Sequence, residues 1–358
     1  GEPLSTISLK EAAISNNSSA VTLGGSFRSS VLETSGSWDL QPFDFDGTFP
    51  DRIVIEYETV DGKKFRFGQK HPVWVNEGYK PVARVNAETM ESEGFASIQE
   101  AIQISSPGDY VILVDHGNHG TDPIRITQRE GVNLVLEGLA GERAIKLKNR
   151  IIIDGANRHD GEETLTIRNF TFDFSDADQS GQIISAQDSD VPNNANNYAH
   201  NITIEDVTFI GNRAVDMVAI KTTTGSTFGL TIRSCYGTGL HSLGQLHVAE
   251  GVLVEDCTVN NSESGINYYG NGEAVFRNLQ VQGENYGIRA GQGSGTPQAD
   301  GWLIIENSLL SAKYPVYLRG DAPMNVLIKG ATLVPVEGGD EIYDITDPEY
   351  EIHVIREP

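Results

Sequence analysis

Short apolar segments between residues 216 and 320 carry basic and aromatic residues that could transfer protons. Lysine and histidine can act as general bases, tyrosine as a general acid, and arginine can neutralise a carboxylate through paired hydrogen bonds. β-Elimination from a uronate sugar needs these functions together, because the carboxylate must be neutralised before its α-proton becomes acidic. The candidate catalytic residues are Lys221, His247, Tyr269 and Arg289.

The same segments offer residues suited to holding a sugar chain rather than breaking it. Aromatic rings stack on sugar rings, and amide and guanidinium groups donate hydrogen bonds to hydroxyls and carboxylates. The candidate substrate-binding residues are Asn267, Tyr317 and Arg319. The alternative is that these side chains are ordinary polar residues on the outward side of strands.

An acidic segment over residues 173–190 contains the front half of a calcium loop. Asp176, Asp178 and Ser180 place oxygens at positions one, three and five, and Gly181 stands at position six. Position twelve is Gln187, where such loops carry a bidentate glutamate. The segment therefore predicts either a Ca²⁺ site or a solvated acidic loop.

A repeat predicts the elements that position these residues. Seven segments share one alternating template, and their starts are separated by 37, 28, 22, 22, 29 and 23 residues. The longer intervals indicate insertions at corners, the longest of them over residues 173–201. The segments are LTIRNFTF (165–172), ITIEDVTF (202–209), LTIRSCYG (230–237), VLVEDCTV (252–259), AVFRNLQV (274–281), LIIENSLL (303–310) and VLIKGATL (326–333).

The fourth template position alternates in charge across all seven segments. Parallel strands stack about 4.8 Å apart, so each charge would lie between two opposite charges if the segments stacked in register. Position five is polar or glycine, which suits a turn. Position six points back into the core, so Cys235 and Cys257, which occupy this position, are expected to be small buried side chains. The position-four residues are Arg168, Glu205, Arg233, Glu255, Arg277, Glu306 and Lys329.

Each turn also has a second strand after the template. Aligning the inward apolar pairs, such as Val218 and Ile220, puts the candidate site residues on the outward side of one sheet, facing solvent. A basic and aromatic row on a protein with a formal net charge of −24 departs locally from the overall composition. That acidity argues against nucleic acid as a partner, and no apolar run is long enough to insert in a membrane.

The remaining regions are predicted to flank the repeat. Residues 1–90 form a β-rich appendage with a hairpin around Asp61-Gly62, residues 91–340 form the coil, and residues 341–358 supply a closing strand. Ser97 and Glu100 form a capping-box pattern that predicts a short helix over 97–104, able to cover an end of the coil.

The repeat and the segment SIQEAIQISSPGDYVILVDHG (97–117) resemble the right-handed parallel β-helix superfamily, the pectin-lyase-like proteins, over residues 95–336. The resemblance implies an all-β, right-handed parallel β-helix with a capping helix, and a secreted or cell-surface protein whose partner is a polysaccharide or cell-surface glycan. That superfamily includes lyases, glycosidases, epimerases, tailspikes and adhesins, so the fold alone leaves the activity open.

Several signatures of enzymes in that superfamily are absent from this sequence. It has no Asp-Asp pair, and Lys221 and Arg289 are three turns apart in the predicted register. No catalytic set therefore carries over residue by residue. The expectation is a protein that binds, and in one reading cleaves, a uronate polysaccharide along an exposed face; the alternative is a non-catalytic glycan-binding or adhesin module.

Overall fold

The computed structural model describes most of the chain from residue 80 onward. The described residues are 80–89, 92–115, 117–138, 145–155, 161–186, 199–222, 227–248, 250–269, 273–291, 302–319, 324–336, 338–345 and 352–357, with the backbone of three earlier strands, β1 (Ser8–Leu9), β2 (Arg52–Glu58) and β3 (Lys64–Lys70). The chain forms two compact units, Gly1–His119 with Gly131–Ile145, and Gly120–Glu130 with Lys146–Pro358.

The first unit contains the predicted hairpin and the predicted helix. Strands β2 and β3 pair antiparallel. The helix is shorter than predicted and begins after Ser97, whose hydroxyl accepts a hydrogen bond from the Glu100 amide at 3.2 Å. The other elements are β4 (Val82–Asn86), β5 (Ser92–Phe95), α1 (Ile98–Ala101), β6 (Gly108–Val114) and β8 (Val132–Gly138).

The second unit is a parallel β-helix, in which each turn of chain contributes strands to three parallel ladders. Sheet 1 contains β11 (Leu165–Arg168), β14 (Ala199–Glu205), β17 (Thr227–Arg233), β20 (Glu250–Glu255), β22 (Ala274–Arg277), β24 (Trp302–Glu306), β27 (Met324–Lys329) and β30 (Ile352–Glu357). Sheet 2 contains β12 (Phe170–Asp173), β15 (Thr208–Ile210), β18 (Tyr236–Thr238), the first part of β21 (Thr258–Tyr268), the first part of β23 (Gln280–Ala290), β25 (Leu309–Ala312) and β28 (Thr332–Pro335).

Sheet 3 carries the candidate site. It contains β7 (Ile124–Thr127), β10 (Ile151–Asp154), β13 (Gly181–Ala186), β16 (Met217–Lys221), β19 (Ser242–Leu246), the last parts of β21 and β23, β26 (Tyr314–Leu318) and β29 (Ile342–Asp344). The short strand β9 (Ile145–Leu147) lies next to β12 and so belongs to sheet 2. Strand β13 lies inside the predicted 173–201 insertion, so that interval holds a regular rung as well as loops.

The charge alternation on sheet 1 follows the register of the strands. Arg233 pairs in register with Glu205 on one side and Glu255 on the other. The side chains also meet, with Arg233 Nε 2.5 Å from a Glu205 oxygen and Arg277 Nε 2.8 Å from a Glu255 oxygen. The alternation extends one rung further than predicted, because Lys329 pairs with Glu357.

The polar position after each sheet 1 strand is a column of left-handed residues. Backbone φ lies between 46° and 63° at all seven, a conformation that asparagine, aspartate and glycine adopt most readily. The bend lets the next residue turn inward, and Cys235 and Cys257 are buried free thiols as expected. The seven are Asn169, Asp206, Ser234, Asp256, Asn278, Asn307 and Gly330.

Inward apolar residues fill the interior of the coil. Phe170, Phe172 and Phe209 are fully buried, and the Phe172 and Phe209 rings stack on successive rungs with centroids 5.6 Å apart. This repeated stacking fixes the register of all three sheets, because a slip of one residue would turn the apolar set outward. Within the described ranges, no helix has the length and hydrophobicity needed to cross a membrane.

Candidate functional site

A row of outward residues on sheet 3 forms the first half of the candidate site, the inner row. Cα pairing aligns Lys221 with Gln245, Gln245 with Asn267, and Asn267 with Arg289. The row continues through Tyr317 to Tyr343. The predicted alignment was wrong at two rungs, by two residues at each. Aligning Val218/Ile220 and Leu246/Val248 with Ile266/Tyr268 had placed Lys221 beside Tyr269 and His247 beside Asn267, whereas Lys221 and Gln245 both lie in the row of Asn267. Gly244, with no side chain, fills the inward position that the apolar alignment gave to Leu246.

A second row, the outer row, lies two residues further along each strand. The His247 and Tyr269 rings stack with centroids 4.7 Å apart. The backbone continues the ladder beyond them, since the Gly291 amide donates to the Tyr268 carbonyl at 3.1 Å and the Arg319 amide to the Ala290 carbonyl at 2.9 Å. The outer row therefore runs His247, Tyr269, Gly291, Arg319. The two rows thus contain the seven predicted catalytic and substrate-binding residues, which come from five turns of the coil. They are Lys221, His247, Asn267, Tyr269, Arg289, Tyr317 and Arg319.

Arg289 lies at the centre of the two rows. Its guanidinium carbon is 5.9 Å from the centroid of the Tyr269 ring, 5.5 Å from that of Tyr286 and 5.7 Å from that of Tyr317. These distances fall within the range of cation–π attraction. In the part of the chain that the structure describes, no carboxylate lies within 4.0 Å of Arg289. Other arginines do pair, as Arg213 does with Glu284 at 2.6 Å.

Four tyrosines form a cluster beside Arg289, and sequence reasoning found only one of them. Tyr314 stacks on Tyr343 at 4.5 Å between centroids, and Tyr286 contacts Tyr317 at 4.6 Å. The signal was available in aligned tetrapeptides: SGIN (264–267), YGIR (286–289) and YPVY (314–317) fall on successive rungs. Two tyrosines therefore recur three residues before the inner row, and we define the tyrosine cluster as Tyr286, Tyr314, Tyr317 and Tyr343.

Two residues of the inner row are buried, although the pattern predicted that they face solvent. Asn267 is 1% exposed and Tyr317 is 7% exposed. The short Asn267 side chain lies between the longer Gln245 and Arg289, and rings of the tyrosine cluster surround Tyr317. Neither the amide nitrogen nor the amide oxygen of Asn267 has a hydrogen-bond partner. A buried amide without partners is costly, and such groups often mark binding sites.

The ionisation of His247 follows from its position near Lys221. Burial, and then the positive charge of Lys221, lower the pKa of His247 from 6.5 to about 4. The imidazole is therefore neutral at neutral pH. It can accept a hydrogen bond, but a base of that strength is poorly matched to removing a carbon-bound proton.

The tyrosines next to Arg289 keep their protons. Burial raises the pKa of Tyr269, and Arg289 and Arg319 oppose that shift. Burial and the neighbouring Tyr286 raise the pKa of Tyr317, again against the two arginines. Both phenols are therefore hydrogen-bond donors at neutral pH, which suits contact with carboxylate or hydroxyl oxygens.

Gly291 allows the backbone of the outer row to approach the backbone of the next rung closely. Its φ is +132°, and a Cβ placed on it would lie 1.4 Å from the Arg319 carbonyl oxygen. Only glycine has room at this place, so the position fixes the distance between the Arg289 and Arg319 rungs.

The predicted calcium residues lie elsewhere, on the loop before β13. Lys148 Nζ is 2.5 Å from an Asp176 oxygen, and this hydrogen bond and charge lower the pKa of Asp176. Asp178 is exposed. The Ser180 hydroxyl accepts a hydrogen bond from the Asp216 amide at 3.3 Å. Gln187 and the rest of the acidic segment to residue 190 lie outside the described residues, and calcium binding there stays a prediction.

Comparisons with models of protein families, with curated proteins and with solved structures found no match to this chain. The structure shows a parallel β-helix, and no relative identifies the superfamily suggested by the resemblance; any function must be argued from the side chains.

Proposed function

We propose that this protein binds an acidic, uronate-bearing polysaccharide along the two rows of sheet 3. The observation that carries the proposal is Arg289, a guanidinium among three tyrosine rings with no carboxylate within 4.0 Å in the described ranges. On a chain with a net charge of −24, carboxylates are abundant as partners. Because Arg289 has no carboxylate within 4.0 Å among the described residues, its guanidinium is suited to binding an anionic ligand.

The groups around Arg289 fit a sugar acid better than a small inorganic anion. Arg289 and Arg319 can hold carboxylates on neighbouring residues of a glycan, and the tyrosine cluster offers ring faces to the sugars. Asn267 has a free donor and a free acceptor, which matches a pair of sugar hydroxyls. When Arg289 turns towards a bound carboxylate, the amide beneath it becomes accessible to the same sugar.

The parallel ladder suits a polymer, because each rung repeats the last at about 4.8 Å. A sugar residue in an extended glycan is of comparable length, so the rows offer successive contacts to successive sugars. The secreted or cell-surface location expected from the resemblance belongs to this proposal, since acidic polysaccharides are found outside cells.

Binding can be measured by titration calorimetry with a panel of polyuronates, a sulfated polysaccharide and a neutral dextran. We expect polyuronate binding that Arg289→Gln weakens roughly 10- to 100-fold, the loss typical of a charged hydrogen-bonded contact. The matched control is Arg277→Gln, which removes the same charge from sheet 1, where Arg277 pairs with Glu255 at 2.5 Å.

Two results would contradict the proposal. One is an equal loss in Arg277→Gln and Arg289→Gln, which would indicate non-specific electrostatics. The other is the absence of polyuronate binding by the wild-type chain. Equal affinity for the sulfated polysaccharide would show that charge, rather than the uronate, is recognised.

A second candidate is a uronate lyase, favoured by the contact of His247 with Tyr269 beside Arg289. In that reaction Arg289 neutralises the carboxylate, a base on the protein removes the α-proton, and a phenol protonates the leaving oxygen. The low pKa of His247 makes binding without elimination the better supported function. Elimination creates an unsaturated uronate, so ultraviolet absorbance of the product separates the two candidates in the same titrations.

A further inference from the structure

A second cluster of side chains stands apart from the two rows, at the start of the sheet 3 strands. Asp216 precedes β16, His241 precedes β19, and Glu263 lies in β21, on three successive rungs. Glu263 comes four residues before Asn267, at most about 13 Å of extended chain from it. No residue of this trio belongs to the proposed glycan surface.

The three side chains converge on one point. His241 Nδ1 is 3.0 Å from a Glu263 oxygen and 3.6 Å from an Asp216 oxygen. One nitrogen and two carboxylate oxygens, one from each residue, all lie within 4.8 Å of one another. Yet His241 Nδ1 is buried and makes no hydrogen bond, although two carboxylates face it. The atoms are close enough to share a ligand and are not aligned to bond each other.

The backbone holds this arrangement in place. The His241 amide donates to the Met217 carbonyl at 2.8 Å, and the Glu263 amide donates to the Leu240 carbonyl at 3.1 Å. Asn285, on the next rung, approaches the other Glu263 oxygen at 3.5 Å, which leaves Oε2 directed at His241. A supporting contact of this kind orients a ligating carboxylate.

We infer that Asp216, His241 and Glu263 form a binding site for a divalent cation of the Zn²⁺ class. The two carboxylates supply the charge that balances such a cation, and the imidazole of His241 supplies a nitrogen ligand. A nitrogen among the ligands favours Zn²⁺, Co²⁺ or Mn²⁺ over Ca²⁺, which prefers an all-oxygen shell. The inference is independent of the glycan proposal and of the predicted calcium loop.

The test is Zn²⁺ titration of the whole chain by calorimetry, with Co²⁺ as a spectroscopic substitute. We expect one Zn²⁺ site that His241→Gln and Glu263→Gln each weaken at least 100-fold, with loss of the visible Co²⁺ bands. The matched control is Glu284→Gln, which removes an equal charge from the neighbouring rung, where Glu284 pairs with Arg213 at 2.6 Å. That variant should change Zn²⁺ affinity less than threefold.

A second measurement needs no variant and so does not depend on a mutant folding. Zn²⁺ should protect the His241 ring from chemical modification with diethyl pyrocarbonate, followed by mass spectrometry, while exposed His353 stays reactive. Modification of His241 unchanged by Zn²⁺ would overturn the site. Full Zn²⁺ affinity in His241→Gln, or tighter binding of Ca²⁺ than of Zn²⁺ at the trio, would overturn it as well.

Discussion

The charge alternation on sheet 1 predicts that two similar substitutions lower the free energy of unfolding by very different amounts. The Glu205 side chain is 8% exposed and contacts Arg168, which is 11% exposed, at 3.3 Å. It also pairs with Arg233 on the opposite side. Glu205→Gln would therefore leave a nearly buried guanidinium facing a neutral amide.

The size of that cost follows from burial. Breaking a buried ion pair by removing one partner costs about 3–5 kcal/mol, and the partial exposure of Arg233 places Glu205→Gln near 3 kcal/mol. Arg277 is 44% exposed, so solvent screens its pair with Glu255 and losing that pair should cost far less than losing Glu205. We therefore expect the free energy of unfolding to fall much further in Glu205→Gln than in Arg277→Gln.

Urea unfolding followed by circular dichroism at neutral pH measures both losses, provided that the slopes with urea match the wild type. Replacing both members of the buried pair by apolar residues, Arg168→Met with Glu205→Leu, should recover most of the stability, because no buried charge then lacks a partner and Arg233, which also loses Glu205, is half exposed. A cost in Glu205→Gln no larger than that in Arg277→Gln would refute the assignment of Glu205 to a buried place between two arginines.

Three further predictions concern pH and the backbone. The folded-state pKa of His247 is lowered, so its contribution to stability is present above about pH 6.5 and is lost as the pH falls towards 4. After allowance for partial exposure, this loss of unfolding free energy is about 1–2 kcal/mol. The unfolding free energy of His247→Gln should therefore depend less on pH than that of the wild type. Asn278 has φ 55°, so Asn278→Ala should lower the free energy of unfolding by about 1–2 kcal/mol. Asn278→Gly is the control: a cost below about 0.5 kcal/mol in that variant would confirm that the left-handed backbone is the cause. Gly291→Ala should lower the free energy of unfolding by more than about 2 kcal/mol and weaken glycan binding, because the added Cβ would collide with the Arg319 carbonyl. Thermal unfolding measures the loss, and a variant as stable as the wild type would contradict the close approach of the two backbones.

The fold could be predicted from the sequence because each rung repeats the same physical demands. Alternation of apolar residues fixed the strands, and the alternating charges from Arg168 to Lys329 fixed their parallel register. The left-handed bends were signalled by asparagine and aspartate at position five, since few other residues tolerate them.

The candidate site was only partly predictable. Lys221, Tyr269 and Arg289 were placed on one face by their outward parity, which a shift of two residues does not change. That tolerance also concealed the two-residue errors at β16 and β19; at β19, Gly244 occupies the inward position that the alignment gave to Leu246. Tyr286 and Tyr314 were missed because they lie three residues before the inner row, where strict alternation predicts an inward side chain.

On sheet 1 the sequence by itself determined which side chains stack on which, because a parallel coil repeats its register on every turn and the repeat is visible as a period in the sequence. Only the tertiary structure decided which of those side chains are covered and where loops between rungs bring them. Asn267 is an outward residue by pattern and a buried one in fact, since its longer neighbours Gln245 and Arg289 lie over it. Likewise, only the folded coil brings the side chains of Asp216, His241 and Glu263 together, because their separation depends on rotamers and local bends that the period of the sequence does not record.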